Sequence, residues 1–162
     1  REDVAAYQEI REELERTAGS INGAHADLDW TPLRYVRRHV DRDLIAGLYR
    51  RADATLVTPL ADGMNLVAKE FVAAQDPEDP GVLILSHFAG AAEQMEAALM
   101  VNPFDTSRFA DVIERSISMP LAERRERHEA LRTSVFEQDI EWWTNSFLKR
   151  LSAVTPDLTT PA

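Results

Sequence analysis

The sequence predicts an α/β fold, in which a parallel β-sheet is flanked by helices. Three short runs are almost wholly apolar: Ala54–Thr58, Val82–Leu85 and Leu99–Val101. Such runs suit strands that are covered on both faces, as the strands of parallel sheets are. Segments with helical periodicity separate the runs, and this alternation is typical of crossovers onto one sheet, whose ligands bind beyond the carboxyl ends of the strands.

Length and composition limit the classes of protein to consider. The chain has 162 residues, of which 44% are hydrophobic and 28% charged, enough for one domain with a buried core. Its net charge of -10 argues against a nucleic-acid partner, which needs a basic face. No apolar stretch approaches the roughly 20 residues that cross a bilayer, so we expect no membrane segment. The absence of cysteine fits a reducing cytoplasm.

The first 50 residues are predicted to hold two helices and a short strand. Apolar residues recur at spacings of three and four over about residues 3–20, which indicates an amphipathic helix, and Gly19 and Gly23 are expected to break it. Aromatic and β-branched residues favour a strand at Trp30–Val36. Asp41 is then a candidate N-cap for a second helix.

The remaining segments are predicted to be a loop, a helical region and a tail. Gln75–Gly81 contains three acidic residues and two prolines, which is typical of a surface loop. The pattern is helical from Asp105 to Val154, and Pro120 fits the first turn of a helix there. Thr155–Ala162 is polar and is expected to be a disordered tail. We therefore expect one domain over residues 1–154, followed by that tail.

One segment carries the strongest chemical signal. Residues 58–70 run from a buried strand through an Asp-Gly turn into a helix. The first amides of a helix lack intrahelical partners, and the helix dipole adds about half a positive charge there, so this turn can receive a diphosphate. Asp62 and Glu70 bracket the turn and could accept hydrogen bonds from sugar and ribose hydroxyls. Taken alone, such a turn is more often ordinary architecture than a ligand site.

The order of several motifs gives the turn a more specific meaning. The chain resembles the C-terminal half of the trehalose-6-phosphate synthases, glycosyltransferase family 20, in six blocks that follow in unbroken order: Trp30–Leu33, Tyr49–Asp53, Val57–Leu60, Asp62–Glu70, Ser86 with Phe88–Ala92, and Val101–Asp105. The resemblance implies a GT-B enzyme, in which two Rossmann-like domains close over a cleft. This chain would be the second, donor-binding domain, a fragment whose first strand and N-terminal partner domain precede Arg1.

The resemblance also implies which residues form the site. The donor-binding set is Val40, Asp62, Gly63, Met64, Asn65, Leu66, Val67 and Glu70, with Asp62 as the catalytic residue. Backbone groups of the turn would meet the donor glucose and diphosphate, Glu70 the ribose, and the main chain of Val40 the uracil. Arg1 would reach the phosphate of the acceptor. Both Val40 and Arg1 rest on the resemblance alone.

The implied reaction moves glucose from UDP-glucose to glucose 6-phosphate with retention, giving trehalose 6-phosphate and UDP without a metal or other cofactor. Three positions depart from the family pattern: Val40 replaces an aromatic residue, Ala61 an arginine, and His87 a glutamine or glutamate. Residues that grip the diphosphate in the family lie before Arg1. We therefore expect the fragment alone to be inactive.

Three alternatives stay open at this point. The same donor half could serve a related enzyme with another acceptor, such as glycerol 3-phosphate, or with an ADP-linked donor. It could also belong to a pseudo-glycosyltransferase that joins cyclitols. From a different class, the chain could be a non-catalytic binding module. The sequence also leaves a homo-oligomer open.

Other conspicuous residues have ordinary interpretations. The three histidines His25, His39 and His128 lack metal-ligand spacing. Trp142 and Trp143 are predicted to be core residues, because their helix continues an apolar stripe. The arginines at 34, 37, 38 and 42 are expected to pair with the acidic first helix.

Overall fold

The computed structural model describes residues 5–154, and these fall into two compact units that meet in the sequence between Val40 and Asp41. The first unit begins with helix α1, Ala5–His25. The prediction that Gly19 and Gly23 end this helix is wrong, because α1 runs through both. A glycine inside a helix costs only about 1 kcal/mol relative to alanine, which neighbouring turns can offset.

After α1 the chain turns back without forming a strand. The prediction of a strand at Trp30–Val36 is wrong. The backbone of Leu33 bonds instead to the side chain of Asn22, whose Nδ2 donates to the Leu33 carbonyl at 2.9 Å and whose Oδ1 accepts from the Leu33 amide at 3.0 Å. Arg37, one of the four arginines expected to pair with the first helix, pairs with Glu15 of α1 at 3.2 Å.

The second unit contains the parallel sheet. Its strands are β1 (Ala54–Val57), β2 (Val82–Ser86) and β3 (Leu99–Val101), in the order β1-β2-β3. Both pairs are parallel, with Leu56 beside Ile84 and Ile84 beside Leu99. β2 is buried along its whole length, as its unbroken apolar run predicts. The three carboxyl ends therefore lie at one edge of the sheet.

Five more helices accompany this sheet in the described part of the second unit. They are α2 (Arg42–Arg51), α3 (Leu66–Ala74), α4 (Thr106–Ser118), α5 (Leu121–Glu137) and α6 (Ile140–Val154). Asp41 occupies the N-cap position of α2, although its side chain makes no capping bond. The expectation that helices separate all the strands fails at one crossover, because β2 and β3 are joined through a single 3₁₀ turn, Gly90–Glu93.

Alternate residues of β2 serve two hydrophobic layers. Leu83 and Leu85 pack with Phe71 of α3 and Leu131 of α5, while the opposite face of the sheet packs against α4. The second layer comprises Val82, Ile84, Leu99, Val101 and Met119, with Phe109, Val112 and Ile113 against it. Burying each large apolar side chain contributes about 1.5–3 kcal/mol, so α3, α4 and α5 are held firmly on the sheet.

Helix α6 is less deeply packed. Trp142 and Trp143 remain 40% and 43% exposed, so the prediction that they are core residues is wrong. Trp143 stacks on Phe147 with 5.3 Å between ring centroids. These two apolar side chains of α6 therefore cover each other within the helix. Among the described residues, no helix is long and apolar enough to cross a membrane. The predicted tail, Thr155–Ala162, lies outside the described residues.

The close approach of the backbone just before β1 to the loop just before β2 generates a prediction about stability. A Cβ at Gly81 would meet the carbonyl oxygen of Ala52 well inside van der Waals distance, so Gly81→Ala is expected to lower the free energy of unfolding by about 1–3 kcal/mol in urea denaturation. Gly47→Ala in α2 is the control, because a Cβ there meets open space and should stabilise the helix by about 0.5–1 kcal/mol. Equal stability of Gly81→Ala and the parent chain would contradict this packing.

Candidate functional site

The loop after β1 is organised around the carboxylate of Asp62. Its Oδ1 accepts hydrogen bonds from the amides of Met64 at 3.1 Å and Asn65 at 3.2 Å. Its Oδ2 accepts from the side-chain amide of Asn65 at 2.9 Å. The bond from the Met64 amide, then that from the Asn65 side chain, lower the pKa of Asp62 below its ordinary value, because each stabilises the charged form.

Asn65 joins this turn to the start of α3. Its backbone lies in the left-handed region, with φ 63°, and it is the one non-glycine residue with positive φ in the described part of the chain. Its Oδ1 accepts from the Ala68 amide at 3.0 Å, which makes it the N-cap of α3. This role of Asn65 was not predicted from the sequence. The signal available was the amino acid itself, since asparagine favours both N-caps and the left-handed region.

A second loop, after β2, holds the first one in place. The Asp62 amide donates to the Phe88 carbonyl at 3.2 Å, and the Gly90 amide donates to the Asp62 carbonyl at 2.7 Å. A Cβ at Gly90 would collide with the Gly63 carbonyl. Only glycine therefore fits at position 90, and the two loops continue the pairing of β1 with β2 past the ends of the strands.

Two amides at the start of α3 remain open. Those of Leu66 and Val67 have no hydrogen-bond partner among the residues that the structure describes, and both residues are exposed. The amides of Met64 and Asn65, by contrast, are occupied by Asp62. An anion at this helix start would therefore meet Leu66 and Val67 first, aided by the helix dipole.

Glu70 lies one turn further along α3 and is exposed. It has no hydrogen-bond or ion-pair partner within the described ranges, so both of its oxygens can accept bonds from a ligand. Burial, and secondarily the charge of Glu70, raise the pKa of Tyr49. Tyr49 in turn packs edge-on against Phe71, with ring centroids 6.0 Å apart.

Two cavities adjoin the loop, both within the second unit. One of about 280 Å³ is lined by Met64, Leu66, Lys69 and Trp143, among others. Lys69 Nζ donates to Gln94 Oε1 at 2.6 Å, and burial lowers the pKa of Lys69. The other cavity, of about 590 Å³, lies between Gly63, Gly90 and the exposed face of α6. Volumes of this order accommodate small ligands.

The remaining residues of the predicted site do not belong to this loop. Val40 ends the first unit and is half-buried, and Arg1 lies outside the described residues. His87 is exposed, donates its amide to the Val101 carbonyl at 3.0 Å, and lines a separate cavity of about 290 Å³ with Asp105 and Arg108. Within residues 5–154, no group of three or more His, Cys, Asp or Glu is arranged to hold a metal ion.

The arrangement of a parallel sheet with open helix amides at its carboxyl edge is that of α/β domains that bind phosphate-containing ligands. The sequence profile of Glycosyltransferase family 20 matches residues 1–153, and the chain belongs to that family.

Similar proteins agree with this family. A trehalose-6-phosphate synthase of Cronobacter sakazakii is 54% identical over 156 residues, which are 96% of this chain and 33% of the relative. The structure of the E. coli protein bound with UDP-2-fluoro glucose is 51% identical, with a TM-score of 0.89, over 96% of this chain and 35% of that one. The Burkholderia xenovorans α,α-trehalose-phosphate synthase (UDP-forming) in complex with glucose-6-phosphate is 50% identical, with a TM-score of 0.88, over 92% and 33%. The chain thus spans about a third of the length of these relatives.

The bonds to Asp62 predict how its loop responds to acid. Because the pKa of Asp62 is lowered in the folded chain, the order that these bonds give is present above the ordinary pKa of an aspartate. That order is lost as the pH falls through the lower, folded value. In a pH titration followed by NMR, the amide signals of Met64 and Asn65 should move together with a midpoint below 3.8, the reference value for aspartate. A midpoint at or above that value would contradict the hydrogen bonds that Met64 and Asn65 donate to the Asp62 carboxylate.

Proposed function

We propose that this chain is the donor-binding half of a retaining glucosyltransferase that moves glucose from UDP-glucose to glucose 6-phosphate. The observation that carries the proposal is the loop at the carboxyl end of β1, where two open amides lie between two carboxylates. Two relatives of this chain have solved structures with ligands, one with UDP-2-fluoro glucose and one with glucose-6-phosphate. Each ligand matches one proposed substrate.

The open amides are suited to the diphosphate of the donor. The N–H groups of Leu66 and Val67 would donate to phosphate oxygens, with the dipole of α3 behind them. Negative charge grows on the leaving diphosphate as the bond to the glucose breaks. Fixed amides that already point at this position stabilise the transition state without having to reorganise.

The two carboxylates are suited to the hydroxyl groups of the donor. Glu70 is exposed and unpaired in the described part of the chain, and we assign it to the ribose hydroxyls. Asp62 is assigned to the glucose that is transferred. Its carboxylate is already fixed by three hydrogen bonds within the loop, so it can orient the sugar without paying for its own ordering.

The rest of the proposed enzyme lies beyond this chain. The acceptor pocket is assigned mainly to a partner domain in the other two thirds of the protein, with Arg1 at the acceptor phosphate and the main chain of Val40 at the uracil. The gap of about two thirds between this chain and its relatives leaves room for such a domain. Because the helix amides supply the charge stabilisation, we further propose that transfer requires no metal ion.

Glu70→Gln tests the donor site. The substitution keeps the shape of the side chain but removes the charge, so UDP-glucose binding to the full-length protein is expected to weaken by about 1–3 kcal/mol in calorimetric titration. Glu129→Gln is the matched control, because Glu129 is an exposed glutamate on α5. Binding that is the same in both variants and the parent would rule out the ribose role.

The activity itself is tested by product analysis. The full-length protein, given UDP-glucose and glucose 6-phosphate, is expected to release UDP and form trehalose 6-phosphate at the same rate with and without excess EDTA. Glycerol 3-phosphate in place of glucose 6-phosphate is the acceptor control. Transfer to glycerol 3-phosphate alone would reject the proposed acceptor, and a rate that EDTA abolishes and a divalent cation restores would reject the metal-free reaction.

A further inference from the structure

We propose that the side chain of Asn65 is a positioning residue for the sugar transfer, because it fixes the direction in which the Asp62 carboxylate can bind the donor. This inference rests on the proposed function and goes beyond the backbone contact predicted for Asn65. One side chain makes two bonds with different consequences: Nδ2 donates to Asp62, and Oδ1 accepts from the Ala68 amide. Asn65 therefore couples the carboxylate to the first turn of α3.

A count of acceptor positions shows what this bond controls. The two oxygens of an ionised carboxylate offer about four lone-pair positions. Oδ1 of Asp62 uses two, for the amides of Met64 and Asn65, and Oδ2 uses one, for Asn65 Nδ2. The position that remains for a sugar hydroxyl is on Oδ2, beside the Asn65 amide group.

The surrounding backbone leaves this carboxylate few other ways to move. The Asp62 carbonyl is held by the Gly90 amide at 2.7 Å, and Gly63 is in close contact with Gly90, where no Cβ would fit. The backbone of the loop is thus fixed by its contact with Gly90. Rotation about the side-chain bonds of Asp62 is the freedom that remains. The amides of Met64 and Asn65 restrain Oδ1, and Asn65 Nδ2 restrains Oδ2, the oxygen with the open position.

The backbone of Asn65 points to the same conclusion. A positive φ is rare for residues other than glycine, and asparagine is among the few that tolerate it. Glycine would give the same turn with less strain, but it would provide neither side-chain bond. The side chain of Asn65 is also largely buried, and its two polar atoms are used by Asp62 in the loop and by Ala68 in the first turn of α3.

Two variants separate the two bonds. Asn65→Gly keeps the left-handed backbone and removes both side-chain bonds. Asn65→Asp keeps an acceptor for the Ala68 amide but sets a second negative charge against Asp62. Asp105→Gly is the control for loss of a helix cap, since Asp105 caps α4 through the Arg108 amide at 3.2 Å and is outside the proposed donor site.

In the full-length protein, we expect Asn65→Gly to lower kcat at least about tenfold, with UDP affinity within about twofold of the parent. Asn65→Asp should lower kcat at least as much, and its added charge beside the Leu66 and Val67 amides should also weaken UDP binding. UDP lacks the sugar that Asp62 binds, so its affinity does not depend on the direction of that carboxylate. Asp105→Gly should leave both quantities within about twofold.

Two results would overturn the positioning role. In one, Asn65→Gly keeps the parent kcat. In the other, kcat and UDP affinity fall together in Asn65→Gly, as they would if the loop merely unfolded. Failure of the parent protein to bind UDP would instead refute the proposed function, and this inference with it.

Discussion

The candidate site depends on the contact between two loops at the carboxyl edge of the sheet. The Gly90 amide donates to the Asp62 carbonyl, and the absence of a side chain at Gly90 lets the Gly63 carbonyl lie against it. This contact holds the loop in place, and the cap at Asn65 then begins α3. The direction of the first amides of α3, and with it the position of any bound anion, follows from that constraint.

The electrostatics of the loop explain how an acidic chain could hold an acidic ligand. The chain carries a net charge of -10, and its loop contains Asp62, yet that carboxylate is directed into bonds with Met64 and Asn65. The amides of Leu66 and Val67 and the dipole of α3 supply positive potential from the backbone alone. Lys69 adds a cation nearby, with its Nζ tied to Gln94.

The elements that the sequence predicts correctly are those that depend on a local pattern of apolar residues. The runs at Ala54, Val82 and Leu99 became the three parallel strands, because a strand buried on both faces must be apolar throughout. The prediction is wrong where residues distant in the chain decide which secondary structure forms. Trp30–Val36 has strand-forming residues, but a strand needs a neighbour, and Leu33 found the Asn22 side chain instead.

The candidate site likewise has some features that the sequence predicts and others that it does not. The Asp-Gly turn and the following helix could be read from the sequence, since both are local. The requirement for glycine at position 90 could not, because it arises from a neighbouring loop that approaches from 27 positions away in the chain, at Gly63. The preference of asparagine for N-caps could have predicted the cap at Asn65, but only the folded structure shows that its side chain bonds to both Asp62 and Ala68. The most direct measurement is a crystal structure of the full-length protein with UDP-glucose. The account predicts diphosphate oxygens within hydrogen-bonding distance of the Leu66 and Val67 amides, whereas a donor bound elsewhere, with these amides unoccupied, would contradict it.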